Sequence, residues 1–339
     1  VYEFTFEDVQ TSVELSKADL TDGKELPGAS LQVLDSTGTV VEEWISTEDP
    51  HMIRGLLVGE TYTLVETKPA DGYTTAERIE FKVEDTAEVQ KHQMLDDVTK
   101  VEISKTDVTD SKEVPGAKLT ILDKDGKVVE SWVSDKDSHM VEKLPVGTYT
   151  LREEQAPDGY LVAEEVSFDV KDTGEIQKVE MKDARPTGKL VLKKTDAEDG
   201  SPLAGAEFEL RIKKSGKVVA TLVTDEEGVA TSGDIPIATY KDGKMKKEIE
   251  YILVETKAPD GYVRSEKEES IVFTYQDDKT KEIEITKELT NERIPTGDYV
   301  KSPKTGDDTN IWLPILLLVL SVGGIAGIFW YTKKKNHEE

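Results

Sequence analysis

The sequence predicts an all-β fold, with three tandem β-sandwich modules ahead of one C-terminal transmembrane helix. Three observations point there. Long stretches of the chain repeat: VELSKADLTDGKELPGASLQVLD (13–35) returns as VEISKTDVTDSKEVPGAKLTILD (101–123), and more loosely as LVLKKTDAEDGSPLAGAEFEL (190–210). Within each repeat, short segments alternate apolar and polar residues between turn signals, which is the pattern of half-buried strands. One long uncharged run then stands apart near the C terminus. At 339 residues the chain suits about two to four domains rather than one.

Composition excludes several functions. There are 43 basic residues against 70 acidic ones, a net charge of −27. A surface that acidic repels phosphate backbones, so no nucleic-acid partner is expected. Cysteine is absent, which rules out disulfides, thiolate catalysis and zinc–thiolate sites. The four histidines form no HxxxH or HxH pair, so neither a metal centre nor a cofactor is expected.

The elements follow in order. The opening FTFEDVQTSVELSK parallels HQMLDDVTKVEISK (92–105), so residues 1–11 read as the last strand of a truncated preceding module. Modules then occupy 12–98, 99–185 and 186–293, with Lys17 and Lys105 separated by 88 positions and Lys105 and Lys194 by 89. Their later halves also recur, as TYTLVETKPADGY (61–73), TYTLREEQAPDGY (148–160) and EYILVETKAPDGY (250–262). Asp-Gly pairs at 22–23, 125–126 and 199–200 mark turns. No calcium loop of roughly twelve residues, with the required Gly and terminal Glu in place, fits the DKDG and DAEDG runs, which read as hairpin turns. Module three separates Lys194 from Glu255 by 61 positions where its siblings use 49 and 48, an insertion around Thr231–Lys247. The joints Asp97-Val98-Thr99 and Ala184-Arg185-Pro186-Thr187 are short enough to restrict bending.

A spacer spans 294–310, and IWLPILLLVLSVGGIAGIFWY (311–331) carries no charge. As a helix it would extend about 30 Å, the thickness of a bilayer core. Trp312 lies at one end and Trp330 and Tyr331 at the other, where amphipathic rings favour the interfaces. Lys333, Lys334 and Lys335 put the tail, 332–339, in the cytoplasm by the positive-inside rule.

A period of two carries chemistry into the modules. Val13, Leu15 and Lys17 share one strand face, as do Val101, Ile103, Lys105 and Leu190, Leu192, Lys194. Glu66, Glu153 and Glu255 follow Tyr-x-Leu-x in the same way, and the closing strands add Asp96, Asp183 and Asn291. In module one Asp97 competes with Asp96, and parity favours Asp96. Each module thus turns a Lys, a Glu and an Asp or Asn toward its interior. Burying such groups unpaired costs several kcal/mol each. A salt-bridged triad is one answer. The other removes the charges: desolvation lowers a lysine's pKa and raises a carboxyl's, so a neutral amine would meet an acyl carbon and form an amide. The Glu could shuttle the proton. Water would leave from Asp and ammonia from Asn.

The K-x-D opening, the L-x-G-A strand and the Y-x-L-x-E-x-x-A-P-x-G-Y box resemble the collagen-adhesin B-type (CnaB, or SpaA-like) domains of Gram-positive surface proteins and pili. The resemblance spans roughly 12–293 and implies an immunoglobulin-like or prealbumin-like sandwich. Carried over by position, it makes Lys17, Lys105 and Lys194 the isopeptide-forming lysines. Asp96, Asp183 and Asn291 become their acceptors, and Glu66, Glu153 and Glu255 the catalytic glutamates. Module one departs from the pattern, with KPADGY where the others read APDGY. By the same parallel Asp8 would be the acceptor of the truncated module, so the chain reads as the C-terminal part of a longer surface protein.

Ser302, Pro303, Lys304, Thr305 and Gly306, the apolar run and the lysine tail together resemble an LPxTG-type cell-wall sorting signal, with Ser302 where Leu is usual. That implies a sortase partner, cleavage after Thr305, transfer of Thr305 to peptidoglycan, and only transient membrane contact through 311–331. The expected location is the Gram-positive cell surface, covalently attached to the wall. The leading expectation is a structural stalk, stiffened by self-made isopeptide bonds and carrying an upstream head that meets a host-surface protein. The alternative is an adhesin whose repeats themselves bind a matrix ligand. Trp44 and Trp132 are its candidate contacts, although packing suits both. No pilin motif of the YPKN type occurs. A turnover enzyme is not expected, because each Glu would act once.

Overall fold

The computed structural model describes residues 9–295, and every regular element among them is a β-strand. Residues 1–8 with Asp8, the sorting motif at 302–306, the apolar run at 311–331 and the basic tail lie outside the described residues. No helix of the described residues is long and apolar enough to cross a membrane.

Module one contains β1 (Ser12–Asp19), β2 (Ser30–Leu34), β3 (Val40–Ile45), β4 (His51–Arg54), β5 (Thr61–Lys68), β6 (Ile79–Lys82) and β7 (Val89–Asp96). They make two facing sheets, ordered β4-β1-β7 and β3-β2-β5-β6. Module two repeats this with β8 (Lys100–Asp107), β9 (Lys118–Leu122), β10 (Val128–Val133), β11 (His139–Glu142), β12 (Gly147–Gln155), β13 (Val166–Val170) and β14 (Ile176–Asp183). Its sheets are β11-β8-β14 and β10-β9-β12-β13. Most neighbours pair antiparallel, but the first and last strands of each module run parallel, with Lys17 level with Met94 and Lys105 level with Met181.

The alternation seen in the sequence is the alternation of burial. Val13, Leu15 and Lys17 are buried on β1 while Glu14 and Ser16 between them are not. Each module closes over its own core: Leu15, Val33 and Leu64 in the first, Ile103, Ile121 and Leu151 in the second. Buried hydroxyls pin the turn before each second strand. Ser46 Oγ accepts from Ala29 N–H at 2.9 Å and donates to Leu26 O at 2.6 Å, and Ser134 and Thr224 repeat the arrangement. These polar atoms are satisfied, so the sandwich carries no desolvation penalty there.

Module three is elaborated. Its strands are β15 (Thr187–Asp196), β16 (Glu207–Ile212), β17 (Val218–Val223), β18 (Val229–Thr231), β19 (Ile235–Pro236), β20 (Ala238–Lys241), β21 (Lys244–Glu248), β22 (Glu250–Lys257), β23 (Glu269–Val272) and β24 (Glu282–Asn291). The sheet β17-β16-β22-β23 matches its siblings, and β24 runs parallel to β15. The insertion forms the separate hairpin β20–β21. That hairpin lies against module two. The Tyr240 ring meets Tyr160 edge-on at 5.2 Å, the Arg185 guanidinium sits 4.0 Å above the Tyr240 ring, and Tyr240 Oη donates to Gly159 O at 2.5 Å. Gly243 at the hairpin tip has φ of +63°, and a Cβ there would collide with the Glu113 carbonyl. The insertion is thus a clasp across the joint between modules two and three.

The Tyr240 contacts should be worth about 1–3 kcal/mol in sum, an aromatic pair, a cation–π contact and one hydrogen bond. Tyr240→Ala should lower the denaturant midpoint of modules two and three by that amount, whereas Tyr240→Phe should retain most of it.

Candidate functional site

Each sandwich buries one amine between two carbonyl-bearing side chains. Lys17, Lys105 and Lys194 are 2%, 1% and 1% exposed, among the largest fully buried side chains of the protein. Asp96, Asp183 and Asn291 lie beside them on the parallel partner strand, and Glu66, Glu153 and Glu255 reach in from the facing sheet. In module one Lys17 Nζ stands 2.9 Å from Glu66 Oε1 and contacts Asp96 Oδ1. In module two Lys105 Nζ is 3.2 Å from Glu153 Oε1 and contacts Asp183 Oδ1. Asp97 is turned away, with Lys100 Nζ donating to it at 2.8 Å. All nine interior residues singled out in the sequence are buried, one trio to a module, with lysine and acceptor in contact in modules one and two and linked through Glu255 in module three.

A second repeated contact orients the glutamates. The backbone N–H ten residues downstream donates to Oε2, from Ala76 to Glu66 and from Ala163 to Glu153 at 2.7 Å, and from Ser265 to Glu255 at 2.5 Å. This leaves Oε1 of each glutamate facing the amine. Those Oε1 atoms, with Asp96 Oδ2, Asp183 Oδ2 and Asn291 Oδ1, are buried without a hydrogen bond, although Oε1 lies within ion-pair range of Lys17 and Lys105. Such a cluster of orphaned oxygens calls for an explanation.

Electrostatics supplies part of it. Burial pushes the Asp96 and Asp183 carboxyls up to about 7; the neighbouring lysine opposes the rise and the neighbouring glutamate adds to it. Burial likewise lowers the pKa of the Lys194 ammonium against the pull of Glu255. Burial thus favours the protonated acid at Asp96 and Asp183, and the neutral, nucleophilic amine at Lys194.

The third site differs in detail. Lys194 Nζ donates to Thr290 O at 2.9 Å and stands 3.5 Å from Glu255 Oε1. Asn291 Nδ2 donates to Val263 O at 2.8 Å and to Glu255 Oε2 at 3.2 Å. Glu255 thus touches both the amine and the carboxamide nitrogen. A cleft of about 280 Å³, lined by Lys194, Phe208, Leu253, Glu255 and Thr290, opens beside this site.

Comparison with known proteins bears on the fold. The SpaA prealbumin-like fold domain family matches residues 11–97, 99–185 and 188–289. Among solved structures, the TIE protein of Bacillus anthracis is similar over 84% of this chain, at 26% identity and a TM-score of 0.55. This chain spans 52% of that protein's length. BcpA, the major pilin subunit of Bacillus cereus, is similar over 84% of this chain and 100% of its own, at 18% identity and a TM-score of 0.47. No curated protein sequence matches.

One feature of the sites escaped the sequence reading. The aspartate of each K-x-D opening is buried and accepts from a tyrosine hydroxyl at 2.7 Å: Asp19 from Tyr73, Asp107 from Tyr160 and Asp196 from Tyr262. The K-x-D and DGY repeats were visible, but nothing local showed that they meet. Burial alone would raise the Asp19 pKa, yet hydrogen bonds from Tyr73, Thr21 and Lys143 outweigh it and hold the carboxyl at about 2. A depressed carboxylate stabilises the fold above its unfolded pKa near 4, and that stability is lost as pH falls through the folded value. Wild type should therefore lose about 1–2 kcal/mol more than Asp19→Asn between about pH 4 and pH 2, read by denaturant titration.

Proposed function

The chain belongs to the SpaA prealbumin-like domain family, and from that premise we propose that it is the structural stalk of a Gram-positive cell-surface protein, stiffened by three isopeptide bonds that it makes within itself. The observation that carries this reading is the threefold burial of an amine beside a glutamate, with the amine against an aspartate in modules one and two and the same glutamate bridging Lys194 and Asn291 in module three.

The geometry supports one sequence of steps. Proton transfer inside the dry site leaves the lysine as a neutral amine, the proton passing to the aspartate in modules one and two and to Glu255 in module three. Nζ attacks Cγ, the N–C bond forms, and the carbonyl electrons move onto oxygen. Glutamate Oε1 takes the proton released by Nζ, and the glutamate returns a proton to the leaving group. The Cγ–O bond breaks and water departs in modules one and two; in module three the Cγ–N bond breaks and ammonia departs. Glu255 suits this task because Oε1 faces Lys194 and Oε2 accepts from Asn291 Nδ2, the leaving nitrogen. Preset contact replaces a bimolecular encounter, which is worth several kcal/mol of barrier. Each glutamate acts once, so the chemistry is self-modification and not turnover.

The mechanical consequence follows from the topology. The amide would join the first and last strands, which lie side by side in parallel. Tension entering at one end of a module would pass through the covalent bond to the other end and leave the sandwich unloaded. Anchoring by sortase, through Ser302, Pro303, Lys304, Thr305 and Gly306 and a membrane-held 311–331, is part of the proposal and rests on the sequence order of motif, apolar run and lysines. Thr305 would be the residue joined to peptidoglycan. The adhesin reading gains little from the tryptophans. Trp44 stacks on His51 at 4.2 Å and Trp132 on His139 at 4.4 Å, and each packs against its module's core.

Intact mass of the protein should fall below the sequence mass by two waters and one ammonia. Glu255→Ala should restore the ammonia alone, and Glu153→Ala one water alone. A full sequence mass for the wild type would overturn the covalent reading.

A further inference from the structure

The aspartate two residues beyond each reactive lysine sits level with the acceptor in the parallel pairing: Asp19 with Asp96, Asp107 with Asp183, Asp196 with Asn291. Each takes its tyrosine hydroxyl, and each also takes a cation. In modules two and three the cation is internal. Arg185 and Arg293 lie two residues past the acceptor, and their Nε atoms donate to Asp107 and Asp196 at 2.7 and 2.6 Å. That ion pair ties the exit of the acceptor strand to the exit of the lysine strand.

Module one has Val98 at the corresponding position, buried and apolar. Its cation arrives from module two. Lys143 Nζ donates to Tyr73 Oη at 2.5 Å and to Asp19 Oδ2 at 3.2 Å. The Lys143 backbone is fixed at the same place, because its N–H donates at 3.0 Å to the carbonyl of Thr99, three residues past Asp96. Lys143 adopts a φ of +64°, as its counterpart Gly55 does at +80° in module one, so this left-handed turn belongs to the module fold and fixes where the side chain starts. Opposite it stands Gly72, where a Cβ would collide with the Lys143 carbonyl. Lys143 therefore spans the acceptor-strand exit and the lysine-strand exit of module one, as Arg185 and Arg293 do within their own modules.

We propose that Lys143 of module two is the positioning residue for the cross-link of module one, so that Lys17 and Asp96 join only after module two has folded and docked. This rests on the reading that Lys17 and Asp96 form an amide. Lys143 touches neither reacting atom; it acts by holding the two strand ends in register, and loss of near-attack geometry slows such a reaction steeply. The dependence runs one way, since module two carries its own Arg185 and needs nothing from module one.

The test is cell-free synthesis of the full chain with samples taken over time, digested, and mapped by mass spectrometry for the Lys17–Asp96 and Lys105–Asp183 peptides. Lys143→Met should slow the Lys17–Asp96 bond about fivefold or more while the Lys105–Asp183 bond forms at the wild-type rate, which also certifies that module two has folded. Lys143→Arg should restore the module-one rate. Asp172→Asn loosens the same joint elsewhere, where Asp172 accepts from Thr75 N–H and Oγ1 at 2.7 Å, and should leave the module-one rate unchanged. A wild-type rate in Lys143→Met would overturn the proposal, as would equal slowing by Asp172→Asn, which would make docking alone the cause. Absence of the Lys17–Asp96 bond from the wild type would instead remove the underlying reading for module one.

Discussion

An ammonium and two acidic or amide side chains cannot share an apolar interior at no cost. Each charge taken from water costs several kcal/mol, and the mutual attraction of a triad repays that only when every remaining lone pair and proton finds a partner. Here it does not: the glutamate Oε1 atoms face the lysines, but Asp96 Oδ2, Asp183 Oδ2 and Asn291 Oδ1 find no partner. The same constraint would drive the proposed chemistry. Conversion of amine and acid to amide removes both charges and leaves a neutral group suited to the space. Burial thus penalises the unreacted state, and on the proposed reading the amide would be a product that the sandwich tolerates better than its starting material.

The joints obey a related rule, with polar and charged groups shared across modules. Between modules one and two the contacts are polar and ionic, through Lys143 with Asp19 and Tyr73 and through Thr75 with Asp172. Between modules two and three the clasp formed by β20 and β21 adds aromatic packing, Tyr240 lying between Tyr160 and Arg185. Surface ion pairs weaken with salt, while an aromatic contact does not.

Much of this was legible in the chain. Strand alternation put Lys17, Glu66 and Asp96 on interior faces, and parity separated Asp96 from Asp97, which instead binds Lys100 at the surface. The repeats gave the second and third sites by copying. What stayed hidden depends on distance along the chain. Lys143 and Asp19 are 124 positions apart and in different modules, so no periodicity links them. The left-handed turn at Lys143 was signalled only indirectly, by Gly55 at the same position of module one. The insertion was visible as extra length, but its target, Gly159, lies 81 positions upstream of Tyr240.

The most direct measurement of the central claim is a crystal structure of the three modules at a resolution that separates bonded from non-bonded atoms. Continuous density should join each lysine Nζ to the acceptor Cγ as a planar amide about 1.33 Å long. Discrete side chains whose nitrogen and oxygen sit about 2.7–2.9 Å apart, as in a charge-assisted hydrogen bond, would show three buried ion networks and contradict the account.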